Sequence, residues 1–255
     1  MKKQIAKELL NNINGVYMND IEKLQKIIDD SKKIVFFGGA GVSTESGIKD
    51  FRGKNGLYKN KISNIPPEYM LSHTCLIKQP ELFFDYYRNN MNSLYAKPNI
   101  THKYLKKLED KGKLKAIITQ NIDGLHQMAN SKNVIEIHGT IHKAHCINCN
   151  KEYDGKIIFE NTDIPKCKCG GIIRPSIVLY EEPLPEQFNT AINYIKDADT
   201  LIVAGTSLTV EPASSLIRYF IGNNLIIINI DKTKYDEYAD IVINKPLKEV
   251  FSKLK

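Results

Sequence analysis

The segment from Lys32 to Arg52, KKIVFFGGAGVSTESGIKDFR, constrains the fold of this chain more than any other segment. It opens with the apolar run 34–37, whose β-branched and aromatic residues are typical of a buried strand. Glycines follow at once, at positions 38, 39 and 41. A strand that runs into a glycine turn and then a helix is how α/β proteins hold a phosphate. The glycines let the backbone approach the anion, and the helix start presents free N–H groups.

As a dinucleotide-binding fingerprint, this glycine loop is incomplete. The usual pattern is G-x-G-x-x-G, and here Thr44 occupies the third glycine position. The residues at 47–52, GIKDFR, place an acid, an aromatic and a base directly after the loop, which is unlike the continuation of a helix. We therefore expect the loop to hold a phosphate and the segment 47–52 to form a second ligand-contacting segment.

Composition and charge limit the class of protein. The chain has 255 residues, of which 42% are hydrophobic and 25% are charged, as in an ordinary globular protein with one large domain or a large and a small one. The formal net charge is +7, but the lysines are spread along the whole chain, so no dedicated nucleic-acid site is expected. No apolar run approaches the ~20 residues that span a bilayer, and the N-terminus lacks the features of a signal peptide. The sequence therefore predicts a cytoplasmic protein with no membrane partner.

Strand and helix patterns alternate along most of the chain. Strands are predicted at 34–37, 114–119, 134–137, 177–180, 201–203, 225–230 and 241–243. Helices are predicted at 19–31, 80–95, 101–110, 186–196 and 211–221. This alternation predicts an α/β fold with a mostly parallel sheet that helices cover on both faces.

Four of the five cysteines form two close pairs. Cys146 and Cys149 are separated from Cys167 and Cys169 by 17 residues. In a chain without a secretion signal, this pattern predicts a tetrahedral zinc site with four thiolate ligands. Such a site has no open position for water, so its role would be structural. His142 and His145 lie close by and are alternative ligands, whereas Cys75 is expected to be a small buried hydrophobic residue.

Polar residues follow the predicted strands at the edge where parallel sheets bind ligands. The string TQNIDGLH at 119–126 follows one strand, and its Gln, Asn and Asp are suited to binding hydroxyls and amides. The alternative is a helix N-cap at Asn121 or Asp123. His138 ends the next strand and is a candidate general base. The string GTSL at 205–208 and Asn229 follow later strands and suit the ribose and adenine of a dinucleotide.

Together these segments resemble a known family. The strings GAGVSTESGIKDFR and TQNIDGLH, the His138-Gly139 pair, the four cysteines, GTSL and Asn229 occur in the order found in sirtuins, the NAD-dependent protein deacylases. The resemblance runs from about residue 20 to the C-terminus. It implies a Rossmann-like NAD-binding domain made of residues 1–52, 99–141 and 174–255. It also implies a small domain made of a helical insertion, 53–98, and the zinc module, 142–173. NAD and an acyl-lysine peptide would meet in the cleft between the two domains.

The resemblance also implies roles for individual residues. The residues that would contact NAD are Ala40, Gly41, Ser43, Thr44, Phe51, Arg52, Gln120, Asn121, Ile122, Asp123, His138, Gly205, Thr206, Ser207 and Asn229. Among them, His138 would be the general base, with Asn121 also at the reaction centre. Asp123 would bind the nicotinamide carboxamide, and Phe51 would shield the ribose carbon once nicotinamide leaves.

The peptide substrate would bind by β-augmentation, that is, as an added strand. Val178, Leu179 and Tyr180 resemble the segment that pairs with the peptide in sirtuins. The family usually has glycine after this aromatic residue, and this chain has Glu181. The main-chain pairing is therefore expected, while the residue preference around the acyl-lysine is left open.

Three alternatives belong to other activities. A zinc-ribbon module for nucleic acid would need basic and aromatic residues around the cysteines, but this segment also carries Glu152, Asp154, Glu160 and Asp163. An oxidoreductase would need the complete glycine pattern and an acidic residue ~20 positions after the loop. Relatives that transfer ADP-ribose to proteins tend to lack the base, which this chain keeps as His138.

The acyl preference is predicted from two positions on the aromatic helix. Sirtuins that favour succinyl or malonyl groups carry a Tyr and an Arg three residues apart. Here Arg88 is present, but Asp85 stands where the Tyr would be. We expect Asp85 to repel an acidic acyl group and to pair with Arg88. An acetyl or a longer apolar acyl group is therefore the predicted substrate.

Overall fold

A computed structural model describes residues 18–51, 53, 56–59 and 65–255. Its α-helices are α1 (Asp20–Asp30), α2 (Pro67–Met70), α3 (His73–Lys78), α4 (Pro80–Met91), α5 (Ile100–Asp110), α6 (Leu125–Met128), α7 (Lys156–Glu160), α8 (Gln187–Asp197) and α9 (Leu247–Phe251). Its strands are β1 (Ile34–Gly38), β2 (Leu114–Thr119), β3 (Val134–Glu136), β4 (Gly139–Cys146), β5 (Glu152–Asp154), β6 (Ile173–Ile177), β7 (Thr200–Ala204), β8 (Asn224–Ile228) and β9 (Ile241–Ile243). Short 3-10 helices lie at Ala40–Val42, Thr44–Ser46, Leu57–Lys59, Ala213–Tyr219 and Asp236–Tyr238.

Six parallel strands form the main sheet, in the order β3-β2-β1-β7-β8-β9. Strand order therefore runs outward from β1 in one direction and from β7 in the other. The crossover connections diverge between these two strands, and this switch point is where open α/β sheets bind ligands. The predicted Rossmann-like sheet is confirmed.

Helices cover both faces of this sheet, which explains why its strands are continuous apolar runs. Side chains alternate along β1, so that Ile34 and Phe36 join one core while Val35 and Phe37 join the other. Helices α1, α5 and α9 pack on the first face, and α8 packs on the second together with the 3-10 helix at 213–219. No helix in the described part of the chain is long and apolar enough to cross a membrane.

A second, antiparallel sheet has the order β5-β4-β6. The strand predicted at 177–180 is wrong, because β6 ends at Ile177 and belongs to this small sheet. The apolar residues at 178–180, beyond the end of β6, are explained by burial and not by a strand. Leu179 is buried in a hydrophobic core separate from the two cores of the main sheet, and Tyr180 forms an isolated bridge with Ser72. This apolar run therefore reflects burial and not membership of the main sheet.

The helical insertion and the cysteine segment share one hydrophobic core. Phe83 and Tyr87 of α4 pack with Ile141, Ile158 and Ile173 of the cysteine segment. The small sheet that contributes to this core runs from residue 139 to 177, a few residues beyond the predicted module of 142–173 at each end. Because the two segments bury their apolar side chains against each other, we propose that they form one small domain.

Two predicted helices differ from the structure. The glycine loop leads into two single-turn 3-10 helices instead of an α-helix, and Gly47 ends the second turn with φ 85°. The helix predicted at 211–221 is a 3-10 helix. In both places a hydroxyl competes for the backbone, since Thr44 donates to the Gly41 carbonyl at 3.1 Å and Ser215 to that of Pro212 at 2.6 Å.

Candidate active site

One large cleft, of about 1020 Å³, opens at the carboxyl edge of the parallel sheet and is also lined by residues within 89–96 and 177–184. The predicted site residues that line it are Ala40, Gly41, Ser43, Thr44, Phe51, Gln120, Asn121, Ile122, Asp123, His138, Val178, Leu179, Tyr180, Gly205, Thr206, Ser207 and Asn229. Arg52, which was predicted to contact the cofactor, lies outside the described residues. The fold thus brings together side chains that are up to 189 positions apart in the sequence, from Ala40 to Asn229.

The glycine loop after β1 packs directly against the loop after β7. The Gly41 amide donates to the Gly205 carbonyl at 2.8 Å. A Cβ on Gly41 would lie 2.7 Å from the Gly205 Cα, and Gly205 has φ 60°, so side chains are excluded at both positions. These glycines therefore allow contact between two loops as well as close approach of a ligand to the backbone.

Ser43 links two polar side chains of the segment after β2. Its hydroxyl donates to the Asp123 carboxylate at 2.6 Å and lies 3.0 Å from the Asn121 side-chain amide, which donates to it. The second carboxylate oxygen of Asp123 accepts from the Leu125 amide at 3.0 Å, as expected for a residue that precedes a helix. Burial raises the pKa of Asp123, and the Ser43 hydrogen bond opposes that rise. The carboxylate is thus held rigidly, and it can accept a hydrogen bond from an amide in the cleft.

His138 follows β3 and has a defined tautomer. Its Nδ1 lies 3.0 Å from the Gln120 carbonyl oxygen. Because a carbonyl only accepts, Nδ1 carries the proton and Nε2 is left as the basic nitrogen. Burial lowers the pKa of His138, against the effect of the Gln120 hydrogen bond. The imidazole is therefore neutral near neutral pH, as a general base must be.

Phe51 lies on a loop that touches the predicted peptide segment. The Phe51 carbonyl accepts from the Tyr58 amide at 3.0 Å, and the two rings meet edge to face with centroids 5.4 Å apart. The Tyr58 hydroxyl is 2.7 Å from the Tyr180 hydroxyl. The loop predicted to cover the cofactor is thus in contact with the segment predicted to bind the peptide.

Most main-chain groups of 178–180 already have intramolecular partners. The Val178 amide donates to the His138 carbonyl, the Tyr180 amide donates to the Leu71 carbonyl, and the Tyr180 carbonyl accepts from the His73 amide at the start of α3. The Leu179 amide donates to the Glu182 carboxylate at 2.9 Å. Within the described residues, the Val178 carbonyl and the main-chain groups of Glu181 have no backbone hydrogen-bond partner.

Glu181 adopts the backbone conformation that glycine favours. Its φ is 75°, in the left-handed region, which is strained for a residue with a Cβ. Its carboxylate accepts from the Thr74 amide at 2.9 Å and from the Thr74 hydroxyl at 2.7 Å, at the first turn of α3. These hydrogen bonds lower the pKa of Glu181 and offset part of the strain.

The four clustered cysteines fit a zinc ion. Their Sγ atoms all lie within 4.8 Å of one another. Close pairs are Cys146–Cys169 at 3.4 Å, Cys149–Cys169 at 3.5 Å and Cys149–Cys167 at 3.6 Å. Zinc–sulfur bonds of ~2.3 Å in a tetrahedron place sulfurs about 3.8 Å apart, so four thiolates here suit a closed structural site.

The neighbouring histidines are directed elsewhere. His142 contacts the Asp123 carbonyl at 2.8 Å, and His145 contacts the Ser176 hydroxyl at 2.9 Å, so neither belongs to the cysteine cluster. A Tyr153 hydroxyl donates to the Cys167 sulfur at 3.0 Å. Cys75 is fully buried among apolar side chains, as predicted.

The predicted pairing of Asp85 with Arg88 is wrong. Arg88 instead donates to three main-chain carbonyls, including those of Ile158 and Thr162, at 2.7 Å each. The third carbonyl belongs to Asp163. Asp85 is exposed and accepts from the Asn89 side chain at 3.1 Å. The guanidinium supplies hydrogen-bond donors to carbonyls at and after the C-terminal end of α7. The spacing of Asp85 and Arg88 along one helix does not reveal this contact.

Sequence reasoning missed Asn99, which supports the glycine loop. Asn99 caps α5, and its side-chain amide donates to the Val42 carbonyl at 2.8 Å and to the Ser46 hydroxyl at 3.0 Å. An Asn directly before an amphipathic helix is a recognisable N-cap signal. The contact with a loop 57 positions away has no such local signal.

The sheet, its switch-point cleft and the glycine loop define a Rossmann-type dinucleotide-binding fold, to which a four-cysteine module has been added. The family model described as the Sir2 family matches residues 39–212. The chain belongs to this family, the sirtuins.

Curated relatives and solved structures agree with this membership. An NAD-dependent protein deacetylase from Clostridium acetobutylicum is 54% identical over 237 residues, which cover 91% of this chain and 97% of that protein. Its Staphylococcus aureus counterpart is 45% identical over 92% of this chain and 98% of that protein. A Sir2 structure with a deacetylated peptide and 3'-O-acetyl-ADP-ribose superposes with a TM-score of 0.85 at 37% identity, covering 91% and 96% of the two chains. One with a peptide and NAD+ has a TM-score of 0.83 at 36% identity, covering 92% and 97%.

Proposed function

We propose that this chain is an NAD-dependent protein deacetylase. It removes the acetyl group from a lysine side chain, consumes NAD, and releases nicotinamide and O-acetyl-ADP-ribose. The observation that best supports this function is that His138, neutral and with its proton on Nδ1, lines the same cleft as the glycine loop. The chain is also 54% identical to a protein of that activity. NAD is therefore a substrate of this protein and not a hydride carrier.

The reaction needs a good leaving group, because the amide oxygen of acetyl-lysine is a poor nucleophile. Nicotinamide is cationic within NAD and leaves as a neutral molecule, so its departure makes the ribose carbon reactive toward that oxygen. Asp123 accepts a hydrogen bond from the nicotinamide carboxamide, and its position is fixed by Ser43 and Leu125. Phe51 shields the ribose carbon from water after nicotinamide has left.

His138 acts in the next step as the general base. The ribose hydroxyl that attacks the trapped acyl carbon loses its proton only at high pH, and a nearby imidazole removes that proton during the attack. General base catalysis of this kind typically contributes ~10²–10⁴ in rate. Asn121 and Gln120 contact the same ribose, and both are tied to neighbouring loops through Ser43 and Thr206.

The other predicted site residues contact either NAD or the peptide substrate. Ala40, Gly41, Ser43 and Thr44 hold the diphosphate, and Arg52 also contacts NAD. Ile122 belongs to the nicotinamide pocket. Gly205, Thr206, Ser207 and Asn229 hold the adenosine half. The peptide pairs with the segment 178–181, mainly through the Val178 carbonyl and the Glu181 main chain, which have no backbone hydrogen-bond partner in the described part of the chain.

The acyl group is acetyl or a longer apolar chain. Sirtuins that favour succinyl or malonyl groups carry a Tyr and an Arg on the aromatic helix, whereas here Asp85 replaces the Tyr and the Arg88 guanidinium is engaged by three carbonyls of residues 158–163. Zinc would be held by Cys146, Cys149, Cys167 and Cys169, where it cross-links the module and takes no part in the reaction. A cytoplasmic location, in which these thiols stay reduced, is part of the proposal.

The decisive experiment is incubation of the purified protein with NAD and peptides that carry acetyl-, decanoyl- or succinyl-lysine, followed by mass spectrometry. We expect loss of the acetyl or decanoyl group, with equal amounts of nicotinamide and O-acyl-ADP-ribose, and little loss of succinyl. A peptide that gains the mass of ADP-ribose would indicate the alternative transferase. Formation of reduced cofactor would indicate an oxidoreductase.

A further inference from the structure

His142, on strand β4 of the small sheet, contacts the loop that carries Asp123. Its Nε2 lies 2.8 Å from the Asp123 carbonyl oxygen. A carbonyl only accepts, so this nitrogen carries a proton and donates it. The preceding residue acts in parallel, because the Ile141 amide donates to the Ile122 carbonyl at 2.9 Å. Two successive residues of β4 therefore hold two successive carbonyls of the loop.

The imidazole of His142 also covers Gly124. A Cβ at Gly124 would lie 2.7 Å from two atoms of the ring, and the φ of 70° at this position favours glycine as well. Gly124 is the turn between Asp123 and helix α6, whose first amide, that of Leu125, donates to the Asp123 carboxylate. The ring thus packs on the turn that sets the direction of this carboxylate.

We propose that His142 is a positioning residue for Asp123 and thereby controls how tightly the cleft holds nicotinamide. The inference rests on the proposed function, in which Asp123 binds the nicotinamide carboxamide. The Asp123 carboxylate is held by Ser43 and Leu125, while its carbonyl is held by His142. Without the imidazole, the peptide unit after Asp123 loses this hydrogen bond, so the peptide unit and the carboxylate attached to the same residue are less restrained.

Three variants separate this role from a general effect on the small domain. His142→Leu removes the donor, whereas His142→Gln keeps an amide that is able to donate to the same carbonyl. His145→Leu is the matched control, because His145 lies on the same strand but contacts Ser176 of the small sheet. The unfolding midpoint of each variant identifies any that fails to fold.

Hydrogen exchange of the Leu125 amide tests the positioning without any substrate. Loss of one net hydrogen bond corresponds to roughly a 3- to 10-fold change in an opening equilibrium. We expect exchange at Leu125 to accelerate by that factor in His142→Leu, to stay near the wild-type rate in His142→Gln, and to be unchanged in His145→Leu. An unchanged rate in His142→Leu overturns the proposal.

Inhibition of deacetylation by added nicotinamide tests the functional consequence. In His142→Leu we expect the inhibition constant of nicotinamide to rise roughly 3- to 10-fold while the KM for the acetylated peptide stays constant, with recovery in His142→Gln. Equal inhibition of His142→Leu and His145→Leu overturns the proposal. If the proposed function is wrong, the wild-type protein releases no nicotinamide from NAD. The exchange rate of the Leu125 amide then still shows whether His142 holds the loop.

Discussion

The imidazole rings of His102 and His126 lie with their centroids 4.6 Å apart, and both side chains are buried. His102 belongs to α5, whose N-cap residue Asn99 supports the glycine loop, and His126 belongs to α6, which follows Asp123. Three of their four ring nitrogens have no hydrogen-bond partner among the described residues. Burial lowers the pKa of His102 to about 4 and that of His126 well below its usual value. Two neutral imidazoles thus sit behind the site.

Stability should fall as the pH is lowered below about 6.5. The unfolded chain binds a proton on each of these histidines near pH 6.5, whereas the folded chain resists protonation, so unfolding takes up protons. Between pH 7.5 and 5 the free energy of unfolding should drop by about 2 kcal/mol for each histidine. Denaturant titrations at both pH values measure this. His126→Phe should lose about 2 kcal/mol of the drop, and an equal drop in both proteins would contradict the argument.

Replacement of His138 by alanine should abolish deacetylation while NAD binding largely survives. The proposed base is lost, at a cost of ~10²–10⁴ in kcat, but the glycine loop that we propose to hold the diphosphate is untouched. Peptide turnover by mass spectrometry and NAD binding by calorimetry measure the two effects. His145→Ala, which alters only the small sheet, serves as the control. Near-normal turnover by His138→Ala would remove the assigned role.

The pH dependence of kcat/KM should show its acidic limb below pH 6.5. Burial lowers the pKa of His138, so the imidazole stays neutral and basic at pH values where an exposed histidine is already protonated. Turnover of an acetylated peptide between pH 5 and 8 measures the limb. A limb above pH 7 would show that a different group controls the reaction.

Loss of a cysteine from the cluster should release zinc and loosen the small domain selectively. Cys167→Ser removes one of four ligands and the acceptor of the Tyr153 hydroxyl, so hydrogen exchange should rise across 139–177 while β1 and β7 remain protected. Elemental analysis should find about one zinc per wild-type chain. Cys75→Ala, outside the cluster, should retain the metal. Purified wild-type protein without zinc would refute the assignment.

Two substitutions at Glu181 should separate backbone strain from side-chain contacts. Both Glu181→Ala and Glu181→Gly remove the hydrogen bonds to Thr74, but only glycine adopts φ 75° without strain. We expect Glu181→Gly to unfold roughly 2–4 °C above Glu181→Ala. Differential scanning calorimetry of the two proteins decides the question. Equal midpoints would show that the left-handed conformation carries no strain here.

The main sheet and the sequence motifs around the cleft could be predicted because each is recognisable within a short segment of the sequence. Strands buried on both faces are continuous apolar runs, and the four cysteines carry their own ligand spacing. The segment after Ile177 was misassigned because burial in a separate hydrophobic core produces the same apolar pattern as a strand. Contacts of Asn99, Arg88 and His142 were missed because each joins segments whose proximity only the tertiary fold creates.

The contact between Gly41 and Gly205 has a consequence for the order in which the molecule is completed. The two glycines are 164 positions apart, so the proposed cradle for the diphosphate has only one of its two loops until β7 and Gly205 have left the ribosome. A nascent chain that ends before this strand holds the glycine string, His138 and the cysteine module, yet lacks the second loop of the proposed cradle. We therefore expect NAD to bind only after synthesis has passed this strand and the two halves of the sheet have joined.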